Sequence, residues 1–210
     1  MSLEYISIKN RAKTTLIEKK SRFIADAKNV ISEEEARAFL SEIKSEYPDA
    51  SHHTYAYVIG KQVPAARYSD DGEPHGTAGL PILDVLKNKG ITDTIIVVTR
   101  YFGGTKLGAG GLVRAYSKSA ADCMAAADVV KHIPGTIFSI ETDYHNLGKI
   151  KNYIEKAGYG VEGEDYSSHV IIRTLVPDME TDSVKTKIAD LTNATAVVIE
   201  SAKKYIDTEV

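Results

Sequence analysis

Residues 67–81 read RYSDDGEPHGTAGLP, and residues 94–116 read TIIVVTRYFGGTKLGAGGLVRAY. These two stretches decide the fold. Thr94–Thr99 is apolar without alternation, the pattern of a strand covered on both faces. The loop after it carries five glycines: Gly103, Gly104, Gly108, Gly110 and Gly111. Glycine at that density weakens regular structure, because it loses the most backbone entropy on folding. The loop must therefore need bare backbone, for φ > 0 or for close approach. Gly111 to about Val130 then reads as a helix. Leu112, Ala115, Tyr116, Ser119, Ala120, Cys123, Ala126 and Ala127 form a stripe of mostly small residues. Small side chains let that helix lie close against a sheet.

Upstream, Thr14–Lys19 and Arg22–Val30 read as two strands around Lys20 and Ser21. Ser32 and Glu35 have capping-box spacing and start a helix. Its inward residues are Ala36, Phe39, Leu40, Ile43 and Tyr47, and Pro48 stops it. Thr54–Ile59 is a strand. His52 and His53 precede it and point to opposite sides, a poor bidentate metal pair. Gly60–Gly79 reads as a long polar connection, and Leu80–Lys89 as a helix stopped at Gly90.

Downstream, Pro134-Gly135 punctuates the chain and the rhythm restarts. Thr136–Thr142 is a strand and His145–Ala157 a helix capped by Gly158. Tyr159–Asp165 and His169–Val176 are strands, Asp178–Leu191 a helix, and Ala194–Ser201 a last strand. The order β-α-β-β-α-β is that of the ferredoxin-like fold. The expectation is two α+β domains, 1–132 and 133–210.

A chain of 210 residues suits one or two domains. Its net charge of −3 argues against a whole-protein polyelectrolyte binder. The first 131 residues carry 18 Lys and Arg against 16 Asp and Glu, while the remainder carries 8 against 13. A polyanion would thus meet the first part more readily. Cys123 is the single cysteine, so neither a disulfide within the chain nor a cysteine zinc site is available. The first 20 residues lack an apolar core of signal-peptide length. No run approaches the roughly 20 apolar residues of a membrane span. A cytoplasmic protein without membrane contact is expected.

The chemistry-bearing residues fall in the two opening stretches. A strand, a glycine loop and a helix N-terminus offer unpaired N–H groups to an anion. Arg67, Arg100, Lys106 and Arg114 add charge, and Tyr101, beside Phe102, could stack a base. GGTKLGAGG is neither a P-loop nor a dinucleotide fingerprint. The alternative is a tight strand–helix connection. Ser69, Asp70, Asp71, Glu73 and His75 place three carboxylates and an imidazole in one loop. That cluster suits partner recognition, acid–base work or a hard cation, or turn chemistry alone.

RYSDDGEPHGTAGLPIL and VVTRYFGGTKLGAGGLVRAY, with KSRFIADA and SHHTYAYVIG, resemble the signature of the IMPACT/YigZ family over nearly the whole chain. The resemblance implies a first domain of the ribosomal protein S5 domain 2-like type, as in domain IV of elongation factor G. It implies a ferredoxin-like second domain similar to domain V of that factor. Eukaryotic members are protein binders in the starvation-sensing initiation-factor kinase pathway. Bacterial members look like translation-linked or RNA-binding proteins. The resemblance brings no catalytic residue, metal or cofactor.

The expected function is a non-catalytic, translation-linked factor that binds RNA or a ribosome-associated protein. Arg67, Arg100, Lys106 and Arg114 would contact phosphates, Tyr101 would stack, and the glycines would admit close approach. The rivals are an enzyme acting on a phosphorylated small molecule through the acidic loop and a pure protein-interaction module. The sequence sets no oligomeric state.

Overall fold

The computed structural model describes residues 3–210. It divides into two compact units. One comprises Tyr5–Lys131 with Glu209–Val210, and the other His132–Thr208 with the residues up to Glu4. The architecture is the expected α+β pair, S5 domain 2-like and then ferredoxin-like.

The first unit is built on strands β2 (Ala12–Glu18), β3 (Ser21–Asn29), β4 (His52–Ile59), β5 (Ala65–Ser69) and β6 (Thr94–Tyr101). Their order is β2-β3-β6-β4-β5, with every neighbouring pair antiparallel. A further short strand, β1 (Tyr5–Ile8), is absent from the sequence reading. At four residues it is too short for a periodic signal.

β6 is the central strand, and its two faces explain its unbroken apolar run. Ile96 and Val98 pack with helices α2 (Gly79–Asn88) and α3 (Ala109–Ala125). Ile95 and Val97 pack on the other side with Phe39 and Ile43 of helix α1 (Glu33–Glu46). Ala115, Tyr116, Ser119, Ala120 and Cys123 of α3 are buried, as the small-residue stripe implies. Burial also pushes the Cys123 thiol up to about 12, so at neutral pH it is a small apolar group. The Ser32 hydroxyl caps α1 by accepting from the Glu35 N–H at 3.2 Å. The Glu35 carboxylate reaches back one residue beyond the cap, to the Ile31 N–H at 2.9 Å.

Several boundaries differ from the sequence reading: β4 takes in His52 and His53, and the last strand runs on to Glu209. β5 lies inside the stretch read as a polar connection; its exposed Ala-Ala-Arg-Tyr-Ser carries no alternating apolar face. Helix α3 ends at Ala125. Strand β7 (Val129–Thr142) then runs straight through Pro134-Gly135. Proline tolerates a strand position where no ladder donor is required, so it does not always mark a break.

The second unit follows β7 with helix α4 (Tyr144–Ala157), strands β8 (Gly160–Tyr166) and β9 (Val170–Pro177), helix α5 (Thr181–Thr192) and strand β10 (Val197–Glu209). The four strands β10-β7-β9-β8 pair in the ferredoxin-like order, and the short β1 pairs with β7 as a fifth strand of that sheet. Phe138, Ile140, Ile150, Ile154, Ile172, Val184 and Ile188 form a core of its own. Gly158 caps α4 with φ of 74°, where any other residue would be strained. A protein of residues 133–210 alone should therefore fold. Its amide NMR spectrum is expected to be dispersed, and a collapsed spectrum would mean that its core needs the rest of the chain.

Candidate functional site

The acidic and glycine loops leave the sheet at the same end. The strands ending at Ile59 and Thr99, β4 and β6, are antiparallel and by themselves would send the loops to opposite ends. β5 brings them together. It runs antiparallel to β4 and so shares the direction of β6. The acidic loop leaves β5 at Ser69 and the glycine loop leaves β6 at Tyr101, both at one end of the sheet.

Arg100 and Glu73 join the two loops. Arg100 Nη1 donates to Glu73 Oε1 at 2.6 Å, and both residues are buried, 5% and 8% exposed. The Tyr116 hydroxyl, from α3, donates to the same oxygen at 2.7 Å. Desolvation first, and this bond second, push the Tyr116 phenol well above its ordinary range, so it remains a donor. His52 Nε2 lies 3.9 Å from Glu73. Arg100 Nη2 approaches Ser21 Oγ at 3.4 Å, while Nε has no hydrogen-bond partner. The guanidinium lies between the rings of Phe23 and Phe102, 5.4 and 5.6 Å from their centroids. Arg100, expected as a surface phosphate contact, is thus largely committed to an internal ion pair.

Two other carboxylates of the acidic loop hold the chain. Asp70 accepts the N–H groups of Gly76, Ala78 and Gly79 at 2.8, 3.1 and 2.8 Å, and so fastens the start of α2. Asp71 accepts the His53 N–H at 2.6 Å, and its carbonyl contacts His52 Nδ1 at 2.8 Å. Ser69 Oγ accepts the Asp71 N–H at 3.2 Å. These bonds are turn chemistry. His75 faces outward, its side chain 96% exposed.

The glycines divide by role. A Cβ on Gly103 would lie 2.0 Å from the Lys20 carbonyl carbon, so this glycine admits the β2–β3 turn of its own chain. Its N–H is already bonded to Ser21 Oγ at 3.2 Å. Gly104 and Gly108 have φ of 79° and 74° with nothing within 4 Å of a Cβ, so they are backbone requirements. Gly110 is open beyond Arg114 Nη1 at 4.0 Å, and Gly111 packs on Leu107.

Gly108 is the N-cap of α3, and no side chain caps that end. The first intrahelical bond runs from the Leu112 N–H to the Gly108 carbonyl at 2.9 Å. The N–H groups of Ala109, Gly110 and Gly111 therefore lack an intrahelical acceptor. Of these residues Ala109, with the cap Gly108, lines a groove of about 360 Å³ that Glu73, Arg100, Phe102 and Lys106 also line. Lys106 is exposed and enters no ion pair among the described residues. Arg114 is exposed as well and lies one turn into the helix. Arg67 stands apart, paired with Glu33 of α1 at 3.0 Å.

Tyr101 is half-buried, its hydroxyl bonded to Asp49 at 2.8 Å and its ring covered by Arg22 at 4.4 Å. The open aromatic surface is that of Phe102, 51% exposed. Tyr116, Ser21 and His52 join the site without having been singled out for it. Their partners lie 43, 79 and 21 positions away in the chain, so no local pattern betrays them.

The model of the Impact N-terminal domain matches residues 19–124, and that of a domain of unknown function, DUF1949, matches residues 140–195. The IMPACT family member YvyE of Bacillus subtilis is 39% identical over 203 residues, covering 97% of this chain and 94% of its own. The IMPACT family member YigZ of Escherichia coli is 35% identical over 183 residues, covering 85% and 90%. The protein IMPACT homolog of Saccharomyces cerevisiae is 34% identical over 100 residues, 39% of its length. A crystal structure of a hypothetical protein, 30% identical, superposes with a TM-score of 0.62 over 96% of this chain and 99% of its own.

Proposed function

The chain belongs to the IMPACT family, and from that premise we propose that it is a translation-linked factor binding RNA or a ribosome-associated surface through the head of α3. Family membership suggests a role related to the regulation of translation. What carries the finer reading is the uncapped N-terminus of α3 beside the unpaired Lys106. Free N–H groups, the helix dipole and a mobile ammonium together favour an anionic ligand. Arg114 extends the charge along the helix. Phe102 supplies the ring on which an unstacked base could lie.

The surroundings favour selectivity over bulk polyanion binding. Arg100 and Arg67 are balanced by Glu73 and Glu33, so the surface is of mixed charge. A surface of that kind suits a defined partner. No helix among the described residues is long and apolar enough to cross a membrane.

The test is binding to single-stranded RNA across a salt series. Each phosphate neutralised on a single strand contributes about −0.7 to the slope of log K against log salt. Lys106→Ala is expected to weaken binding about tenfold, within the range of one charge-assisted hydrogen bond, and to flatten that slope by about 0.7. An affinity independent of salt, with capture from lysate unaffected by RNase, would instead favour a protein partner.

A further inference from the structure

β2 is the outermost strand of the first unit's sheet, and its free side is unguarded. Edge strands are commonly blunted by proline, a bulge or shortness, because their open N–H and C=O groups pair with other extended chains. β2 carries no proline and no bulge. It runs seven residues in unbroken register with β3, from Ala12 opposite Ala27 to Glu18 opposite Ser21. Its one lysine, Lys13, is drawn to Glu46 of α1 at 2.7 Å. Among the described residues, no hydrogen bond reaches the backbone of residues 13–18 from outside the β2–β3 pair.

Beside this edge lies a groove of about 240 Å³. Leu16 and Glu18 line it from β2, and Gly111, Arg114, Ala115 and Lys118 from α3. No residue of β3 lines it, so it opens on the outer flank of β2. Leu16, Ala115 and Leu107 make it apolar within, while Lys19, Arg114 and Lys118 put three cations at its rim. Lys118 is held by Asp122 at 2.9 Å, but Lys19 and Arg114 enter no ion pair among the described residues. Lys19 and Lys20 form the turn into β3, with φ of 45° and 67°. Such a turn favours asparagine and glycine. Lysine is strained there, so turn chemistry does not account for it.

We propose that β2 is a docking edge for an extended acidic segment of a partner protein, added as a further strand with one apolar side chain set into this groove. Main-chain bonds to β2 supply affinity, and the groove supplies selectivity. Side chains on one face of a strand recur every second residue, about 7 Å apart. Acidic residues two positions either side of the apolar one therefore reach the rim cations. The other face of the added strand lies against Ile17, which is 70% exposed. RNA suits this groove less well. The groove offers no aromatic ring for a base, and Glu18 lines it without an ion-pair partner. A continuous phosphate chain cannot avoid that carboxylate, whereas a peptide can place a neutral residue opposite it. The inference goes beyond the RNA reading, although Arg114 serves both.

The probe is the acetylated and amidated peptide Thr-Glu-Thr-Leu-Thr-Glu-Thr, whose pattern reads the same in either strand direction. It is titrated into the full chain and followed by amide NMR. Saturating shifts are expected at residues 13–18 and at Arg114 and Lys118. Replacing the central leucine by serine should weaken binding about tenfold, the scale of one buried apolar side chain. Replacing both glutamates by lysine should weaken it to a similar degree. Arg114→Glu should reverse that order in part, weakening the glutamate peptide and improving the lysine peptide. Of two peptides methylated on alternate backbone nitrogens, one should lose binding and the other keep it, since only every second N–H faces β2. No shift at millimolar peptide, equal binding of the glutamate and lysine peptides, or like behaviour of the two methylated peptides would each overturn the proposal. So would a single-stranded RNA that shifts the β2 amides at lower concentration than the peptide, which would make this a nucleic-acid surface. Amides of β2 that broaden with protein concentration alone would assign the edge to a second copy of the chain instead. None of these outcomes bears on RNA bound at the head of α3.

Discussion

Arg100→Met is expected to destabilise the first unit by about 3–5 kcal/mol, the range for removing one partner of a buried ion pair. The cause is what remains. Glu73 is 8% exposed, and without the guanidinium its carboxylate keeps only the Tyr116 hydroxyl at 2.7 Å and His52 Nε2 at 3.9 Å. An ionised carboxylate held there must either be neutralised or drag the loop open to water. Methionine fills comparable space between the rings of Phe23 and Phe102, so a cavity contributes little. Adding Glu73→Gln to Arg100→Met is expected to recover a substantial part of the loss. The amide is neutral, and its oxygen still accepts from Tyr116. Urea unfolding of the single and double variants measures both effects. A loss below about 1 kcal/mol for Arg100→Met would mean that the pair is solvated, against the geometry described. The same result governs how binding data are read. A weakened interaction in an Arg100 variant reports the fold as much as the ligand, whereas Lys106 has no hydrogen-bond or ion-pair partner among the described residues to lose.

Gly103→Ala is the second large effect, and its neighbour is the control. A Cβ at Gly103 would meet the Lys20 carbonyl carbon at 2.0 Å, its oxygen at 2.1 Å and the Ser21 nitrogen at 2.4 Å. All three are backbone atoms, so no rotamer change relieves the clash. The β2–β3 turn would have to part from the end of β6. The bonds from the Gly103 N–H and Arg100 to Ser21 Oγ would go with it. The expected cost is about 3 kcal/mol, at the upper end of overpacking effects. Gly104→Ala meets nothing within 4 Å but sits at φ of 79°. It should cost only about 1–2 kcal/mol, the strain of one residue in the left-handed region. Thermal or urea unfolding of the pair tests the distinction. Equal losses would mean that conformation, not contact, sets the requirement at both positions.

Much of this fold was legible along the chain. The unbroken apolar run of β6 implied a strand covered on both faces, and helices on each side cover it. Ser32 and Glu35 announced the start of α1, and Gly158 the end of α4. The small residues of α3 announced a helix lying close to a sheet. Each is a signal written within a few residues, where side-chain period, caps and backbone preference act directly. β1 and β5 escaped because one is too short and the other too exposed to show a period. Pro134-Gly135 misled because proline at a strand position resembles proline at a boundary.

The site was legible as a set of residue types and illegible as an arrangement. The sequence singled out the two loops, and both do lie at one end of the sheet. Only the antiparallel turn-back through β5 put them there. The sequence by itself determined the two α+β domains, the buried central strand and the glycine loop that opens α3, because local periodicity and glycine's lack of a Cβ fix these. The tertiary structure alone decided that Arg100 and Glu73 neutralise each other, that Asp70 ties down α2, and that Gly103 yields to Lys20 while Gly108 leaves the helix head open. Those outcomes depend on distances between residues far apart in the chain, and a charge's role is set by which opposite charge, or how much water, the fold places beside it.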